Sequence, residues 1–474
     1  MAKKHIHSLI LAGMLTLCYA ATLAPGLTWA NGGADGGDLI TAAATNGVAH
    51  PSGYPLYLLL ARAFQAIPVG ALAFRTNLLS AVCTILAALA LQALLRRQDI
   101  PAGIALAAAL AFGLAPAVWS QAVISEVYGL QSLLLILFLY GLFDEHFPGG
   151  DWTRGLLFGL ATGNHLTTLI LLPLLLLRSC PQPRLVSPGG FAKRALACTL
   201  GISAYLLLSL RAAFHPPVNW GNPVTLENLW WLVSGRLYAA YPFGVSPADA
   251  MLRLRAFAGL LLEQFSLPGV LLGVYGLFSG LPRRTLLASL WIFVAFAGFA
   301  ILYGSYDSQV YLIPAYTAFA VWLAYGLQDI LRALSAHSPR LAQLAAILVI
   351  IGLTARIPFI LPTVDASRDR RAEQFGAQFV ASAPRSALIF ASGDEAVFAL
   401  WYFHYALGQR RDVVVIADDL LVYPWYTETL AHTYPSLRIS PTMGASRFEI
   451  IANNPDYPVC YVSSTQAQFC SPTP

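Results

Sequence analysis

Charge is scarce in this sequence. Only 11% of its 474 residues are Asp, Glu, Lys or Arg, whereas ordinary soluble domains carry about 25%. Hydrophobic residues make up 57% of the chain. This balance excludes a typical soluble globular protein. The net charge of +5 is modest and gives no reason to expect a nucleic-acid partner.

Cysteine is scarce too, and its spacing excludes the common metal motifs. The six cysteines form neither a CxxC pair nor a mixed Cys/His cluster. Cys18, Cys83 and Cys198 lie in hydrophobic runs, where cysteine behaves as a small apolar side chain. Cys460 and Cys470 lie in a polar tail. They would form a disulfide if that tail is outside the cytoplasm, and would otherwise be free thiols.

The sequence has instead a series of apolar runs of about 18–24 residues, the length that crosses about 30 Å of hydrocarbon. Backbone groups in lipid must bond internally, so these runs are predicted to be helices. We interpret the first run as an uncleaved span rather than a signal peptide. The predicted spans are approximately residues 8–27, 73–95, 101–118, 124–143, 195–213, 256–279, 285–303, 309–332 and 341–362.

The run Gly155–Leu177 contains Asn164 and His165 at its middle and has basic residues at both ends. Two short helices that meet at Asn164-His165 fit these charges better than one span, because both ends then stay inside. Counting both short helices gives about eleven membrane segments. The short basic loops share one side, which the positive-inside rule assigns to the cytoplasm. The outer side then carries residues 28–72, 116–125, 214–255, 304–310 and the tail.

The predicted fold is therefore an all-α polytopic membrane domain, residues 1–363, followed by a small extracytoplasmic α/β domain, residues 364–474. In the tail, Ser386–Ser392 and Asp412–Ala417 are predicted strands and Asp394–Leu407 a helix. The expected location is the cytoplasmic (inner) membrane, with the candidate site and the tail on the outer face.

The first outer loop, residues 28–72, contains two acids in a glycine-rich setting, Asp35 and Asp38. One interpretation is structural: Asp38 caps a helix that begins at Leu39, and Asp35 is a turn residue. The other is catalytic: one acid is a general base that deprotonates an acceptor hydroxyl. The second acid would then orient the substrate or hold a divalent cation such as Mg²⁺ or Mn²⁺.

Other polar and aromatic residues reach the same outer level and are candidates for substrate binding. Each also has a structural interpretation: a rigid turn, an interfacial acid, a satisfied core histidine or an aromatic belt. Arg62, Arg211 and Arg236 are the outer cations that we expect to hold a phosphate. The remaining candidates are His50, Tyr54, Glu126, Tyr128, Asn164, His165, Asn219, Trp220, Tyr238 and Asp307.

Several stretches together resemble a family first catalogued as a domain of unknown function. They include Asp35–Leu39, Gly47–Tyr57, Glu126–Tyr128, Gly163–His165, Asn219–Pro223, Tyr311–Tyr316 and Gly393-Asp394. The family includes the transmembrane-protein-260-like protein O-mannosyltransferases. Two positions depart from its pattern, since Asp38 stands where the family usually has Glu and Ser52 where it usually has Pro.

The resemblance implies a GT-C-type membrane glycosyltransferase that uses a polyprenyl-phosphate sugar donor and a first-loop acid as the base. Direct displacement from such a donor would invert the anomeric configuration. The acceptor could be protein, glycan or lipid. The rival interpretations are a transporter or lipid flippase and a non-catalytic scaffold. Acids at mid-membrane depth and repeated halves of the sequence would favour the transporter or flippase. The sequence contains no internal repeat.

Overall fold

The computed structural model describes residues 2–178, 185–440, 444–465 and 469–471. It is a helical body with a small α/β tail packed on one end. Within these residues seven helices are long and apolar enough to cross a membrane, and a bent pair adds an eighth. The chain is therefore a multi-pass membrane protein. The seven long helices are His5–Thr22, Leu72–Arg97, Pro188–Ala212, Pro247–Gly276, Arg283–Leu302, Ser308–His337 and Pro339–Val364.

The predicted third span is bent. It consists of Ala102–Gly113 and Pro116–Ala122, which meet at 68°. Pro116 is at the start of the second helix, and Ala115 before it is extended, with ψ of 128°. A residue before proline avoids the helical conformation, so the first helix ends here. The next segment, Tyr128–Phe143, is a shorter apolar helix.

The predicted break at Asn164-His165 is confirmed. One helix runs over Gly150–Asn164, His165 is extended, and a second helical segment runs over Leu166–Leu175. The first of these helices packs on Pro188–Ile202 through Gly155 and Gly159, where an added Cβ would collide with the backbone of the facing helix. Small residues allow membrane helices to approach this closely.

The outer loops contain short helices. A 3₁₀ turn, Ala30–Asp35, leads into the helix Gly36–Ala44, and a further helix follows over Pro55–Gln65. Residues 214–255, the third outer loop, contain the helix Leu226–Val233 and a 3₁₀ turn, Arg236–Tyr238. Val48 pairs with Asn219 in a parallel bridge, which joins the first and third outer loops.

The tail contains a four-stranded sheet, whose strands are β1 (Leu388–Ser392), β2 (Val414–Ala417), β3 (Val459–Ser463) and β4 (Phe469–Ser471). Their order in the sheet is β2-β1-β3-β4. The predicted strand–helix–strand unit is confirmed, because β1 and β2 are parallel and a helix over Asp394–Trp401 connects them. The strands β3 and β4 were not predicted. The other tail helices are Arg371–Ser382, Pro424–Thr433 and Arg447–Asn453.

Cys460 and Cys470 form a disulfide, one of the two states that the sequence left open. They face each other across β3 and β4, so the bond closes the edge of the sheet.

The tail packs directly on the first outer loop. Its helix Asp394–Trp401 passes so close to Gly37 that an added Cβ would lie 2.6 Å from the carbonyl oxygen of Phe398. Asp369 accepts hydrogen bonds from the Thr28 hydroxyl at 2.7 Å and the Trp29 backbone N–H at 2.9 Å. The tail and the first outer loop therefore share one packed interface, and this interface borders the candidate site.

Candidate functional site

Asp38 is buried behind the site surface, and both of its carboxylate oxygens accept hydrogen bonds. One oxygen, Oδ2, accepts the His50 backbone N–H at 2.9 Å and the His50 ring Nδ1–H at 2.7 Å. The other, Oδ1, accepts the Trp220 Nε1–H at 3.0 Å. The capping interpretation of Asp38 is wrong, because the helix begins at Gly36 and no side chain caps it. Asp38 instead fixes the orientation of His50.

His50 lies between the two acids of the first loop. Its Nε2 is 3.6 Å from Asp35 Oδ2, while Nδ1 faces Asp38. Burial on its own would lower the pKa of His50. The charges of Asp35, Asp38 and Glu126 and the hydrogen bond to Asp38 outweigh it and raise the pKa to about 9. His50 is therefore a cation at neutral pH.

Asp35 presents its carboxylate to an open space. It is the last residue of the 3₁₀ turn before the helix Gly36–Ala44. Its side chain is 41% exposed, but the exposed part faces a deep cavity rather than bulk water. Desolvation there raises the pKa of Asp35, and Asp38 and Asp307 add to the rise while His50 opposes it. A carboxylate with a raised pKa is a stronger base than an ordinary aspartate.

Two connected cavities meet at Asp35. We call the first, of about 360 Å³, the polar cavity; it is bordered by Asn31, Gln121, Glu126, Glu263 and Gln264. We call the second, of about 600 Å³, the tyrosine cavity. Among the described residues, no lysine or arginine borders either one. The tyrosine cavity is bordered by His50 and by Tyr54, Tyr128, Tyr238, Tyr241, Tyr303, Tyr306 and Tyr311, with Gly393, Asp394 and Glu395 on the tail side.

An apolar groove of about 510 Å³ lies next to the tyrosine cavity. Its walls come mainly from Leu169–Pro173 and from the helix Arg283–Leu302. Exposed apolar side chains such as Leu169 and Val294 line it. Tyr303 belongs to the walls of both the groove and the tyrosine cavity. The groove and the tyrosine cavity are therefore neighbours.

The structure brings half of the predicted site residues together around these cavities, and it places Asp38 and Trp220 immediately behind them. The predicted residues that border a cavity are Asp35, His50, Tyr54, Glu126, Tyr128, Tyr238 and Asp307.

The predicted phosphate-binding cations lie elsewhere. Arg62 donates to the Ala44 carbonyl at 2.8 Å, and Arg211 donates to the Gly47 carbonyl at 3.3 Å. Both therefore bind backbone oxygens at and just beyond the C-terminal end of the helix Gly36–Ala44, where the carbonyls lack helical partners. Arg236 is exposed and borders neither cavity.

Asn164, His165 and Asn219 also stay outside the two cavities. Asn164 donates to the Val127 carbonyl at 3.3 Å and to Gln131 Oε1 at 3.0 Å, which ties two helices together. His165 borders a smaller pocket behind Tyr128. Asn219 donates to Asn222 Oδ1 at 3.0 Å.

Asp394 and Glu395 were not predicted as site residues. Both residues lie in the tail, which the sequence predicts to be a separate domain. Gly393-Asp394 is nevertheless one of the stretches that carry the family resemblance. Burial raises the pKa of Asp394, and repulsion from Asp35 and other acids adds to this effect; the pKa reaches about 6. The tail therefore contributes a titratable carboxylate to the same cavity as Asp35.

The pair Asp35 and Asp38 does not fit the divalent cation considered from the sequence. Asp38 is fully buried, and both of its oxygens already accept hydrogen bonds, from His50 and Trp220. No group of three His, Cys, Asp or Glu side chains in the described part of the chain is arranged to hold a metal ion.

Comparisons with known proteins agree with this arrangement. Residues 35–180 match the family model described as the protein O-mannosyl-transferase TMEM260 N-terminal domain, and residues 372–466 match TMEM260-associated domain 2. Protein O-mannosyl-transferase TMEM260 of Mus musculus is 23% identical over 443 residues, which cover 85% of this chain and 62% of that protein. The Dictyostelium discoideum protein of the same name is 20% identical, over 87% of this chain and 57% of its own length. The chain thus spans about three fifths of these relatives.

Two solved structures share the fold. ArnT from Cupriavidus metallidurans bound to undecaprenyl phosphate superimposes with a TM-score of 0.58 at 12% identity, over 96% of this chain and 92% of that one. The Archaeoglobus fulgidus oligosaccharyltransferase gives 0.50 at 13% identity, over 87% of this chain and 62% of that one. With both domain models matched in order along the chain, this protein belongs to the TMEM260-like family and has the GT-C fold.

Proposed function

We propose that this protein transfers a sugar from a polyprenyl-phosphate donor to an acceptor hydroxyl, with Asp35 as the general base. One observation carries the proposal. The Asp35 carboxylate borders both cavities, and the tyrosine cavity has Tyr303 as a wall residue in common with the apolar groove. A lipid-linked substrate and a polar substrate can therefore reach the same carboxylate from different directions.

The comparisons support this choice of substrates. Two relatives are named protein O-mannosyl-transferases, so mannose and a protein hydroxyl are the pair to test first. The ArnT structure with the same fold was solved with undecaprenyl phosphate, a polyprenyl phosphate of the kind that we place in the apolar groove.

In the proposed arrangement, the polyprenyl chain lies in the apolar groove and its phosphate lies near Tyr303, at the entrance to the tyrosine cavity. The sugar occupies the tyrosine cavity, and the acceptor hydroxyl enters through the polar cavity. The anomeric carbon and the acceptor oxygen then meet beside Asp35, where the two cavities join.

The reaction is a single displacement. The Asp35 carboxylate accepts the proton of the acceptor hydroxyl as that oxygen forms a bond to the anomeric carbon. The bond between the anomeric carbon and the phosphate oxygen breaks, and the phosphate keeps the electron pair. The anomeric configuration is inverted, and the polyprenyl phosphate leaves with its negative charge. His50, a cation in the wall of the tyrosine cavity, offsets part of the charge that develops there.

Asp38 has a positioning role in this proposal. It accepts the backbone N–H and the ring Nδ1–H of His50 and the indole N–H of Trp220, so it holds His50 against Asp35. The cation opposes the rise that desolvation causes in the pKa of Asp35. Asp38 does not touch the substrate, and it acts only through His50.

We place the site and the tail on the extracytoplasmic side. Arg96 and Arg97 end the helix Leu72–Arg97 at the end opposite the first outer loop, as the positive-inside rule requires for a cytoplasmic end. Arg283 and Arg284 begin the helix whose other end borders the tyrosine cavity. The disulfide Cys460–Cys470 is typical of an oxidising compartment.

The test is transfer from a polyprenyl-phosphate mannose by the purified full-length protein. We expect Asp35→Asn to lower kcat about 10²- to 10⁴-fold, the usual contribution of a general base. Glu227→Gln is the matched control, because Glu227 is an exposed outer-loop acid that borders neither cavity. A fully active Asp35→Asn variant would exclude Asp35 as the base. A wild-type protein that moves the lipid across vesicles without cleaving its sugar would instead be a flippase.

A further inference from the structure

Asp394 occupies a fixed position on the tail side of the tyrosine cavity. It is the first residue of the helix Asp394–Trp401. The residue before it, Gly393, has a φ of 81°, a conformation that favours glycine. The Gly393 N–H donates to Asp419 Oδ2 at 3.0 Å. At its other end the helix packs against Gly37, so neither end of the segment that carries Asp394 is loose.

The Asp394 carboxylate is free to bind a ligand. No hydrogen bond or ion pair to another described residue occupies its oxygens. Its neighbours in the wall are Glu395 and the tyrosines of the tyrosine cavity, and the described cavity wall offers no arginine or lysine to pair with it. A carboxylate with free oxygens accepts hydrogen bonds from hydroxyl groups.

The apolar groove determines which substrate lies next to Asp394. Tyr303 lies in the walls of both the groove and the tyrosine cavity, whereas the groove has no wall residue in common with the polar cavity. A sugar linked to the end of a lipid in this groove therefore enters the tyrosine cavity. The volume of about 600 Å³ lies in the range of small-molecule sites. The rings of Tyr238 and Tyr241 stack at 6.0 Å and offer an apolar surface in the same wall.

We infer that Asp394 accepts hydrogen bonds from the hydroxyl groups of the donor sugar, so that the tail selects a lipid-linked hexose over the bare polyprenyl phosphate. This inference rests on the proposed function and adds a specificity-determining residue to it. Asp35 removes the acceptor proton beside the anomeric carbon, and Asp394 holds the sugar from the tail side. The tail domain then forms part of the donor site.

The experiment compares two ligands on the full-length protein in detergent: polyprenyl-phosphate mannose and polyprenyl phosphate. Wild type should bind the mannosyl lipid more tightly. Asp394→Asn keeps the size of the side chain but removes the charged acceptor, and we expect it to weaken mannosyl-lipid binding about 10- to 100-fold, as for loss of a charged hydrogen bond. Its affinity for the bare lipid should stay unchanged, which also shows that the variant is folded. Asp456→Asn, an exposed tail acid outside the cavities, is the control and should match wild type.

The outcomes separate this inference from the proposed function. If wild type prefers the mannosyl lipid and Asp394→Asn keeps the same preference, the inference fails and the proposed function stands. If Asp394→Asn retains that preference but raises the KM for the acceptor, Asp394 binds the acceptor and the inference is again overturned. If wild type itself shows no preference and transfers no sugar, the proposed function fails.

Discussion

Gly37 of the first outer loop and Phe398 of the tail are in backbone contact, with the Phe398 carbonyl oxygen 2.6 Å from the position of an added Cβ on Gly37. The ring of Phe398 also stacks on His50, with centroids 6.3 Å apart and planes at 14°. The position of the tail helix and the position of His50 are therefore linked through one residue.

This contact predicts that Gly37→Ala displaces the tail helix and lowers activity. The carbonyl is backbone and cannot rotate away, so the helix must shift, at a cost of about 1–3 kcal/mol for overpacking. Gly36→Ala is the matched control, because an added Cβ there would meet only ordinary contacts at 3.5 Å from Ser125. Thermal unfolding in detergent and the rate of sugar transfer measure the effect. Equal behaviour of the two variants would show that the interface does not constrain the site.

The arrangement Asp35–His50–Asp38 predicts a bell-shaped pH–rate profile. Asp35 must be ionised to act as a base, and its pKa is raised, so activity should fall with acid at a higher pH than for an ordinary aspartate. His50 loses its proton near its pKa of about 9, so activity should fall again there. Asp38→Asn removes the charge and changes the hydrogen bond that raise the pKa of His50. We expect its basic limb to move to lower pH.

The same pKa shift affects stability. The pKa of His50 is raised from its ordinary 6.5 to about 9 in the folded protein, so the folded state binds this proton more tightly than the unfolded state. The stabilisation is complete below pH about 6.5 and is lost as the pH rises through about 9. Thermal unfolding across this range, in wild type and Asp38→Asn, should show a smaller decline in the variant. If the basic limb of the pH–rate profile does not move in Asp38→Asn, that result would contradict the positioning role of Asp38.

Much of the fold could be predicted from the sequence because membrane helices have a strong local signal. The apolar runs, the break at Asn164-His165 and the strand–helix–strand unit all depend on neighbouring residues, and all are confirmed. The charge map also placed Asp35 and Asp38 at the same level as the other candidates. The charge map gives only the side of the membrane and the depth at which each loop lies.

The remaining features depend on contacts between distant segments. The position of Asp394 beside Asp35 requires the tail helix to pack on Gly37, and no periodicity reports such a contact. Arg62 has a backbone partner, the Ala44 carbonyl, that residue type does not reveal. The hydrogen bonds from His50 and Trp220 to Asp38 likewise appear only when the first and third outer loops are joined.

The apolar groove predicts a dependence of activity on the length of the donor lipid. Gly298 borders the groove, and an added Cβ would meet nothing within 4 Å, so Gly298→Leu fills the groove without disturbing the helix. We expect the KM for a long polyprenyl donor to rise about tenfold, equivalent to about 1.4 kcal/mol of lost lipid contact. A short-chain donor that does not reach the groove should keep its KM. Gly352→Leu is the control, since Gly352 is also open and lies on a helix that does not border the groove. A KM that rises equally for short and long donors would place the lipid elsewhere, because a blocked groove can only affect the chain that occupies it.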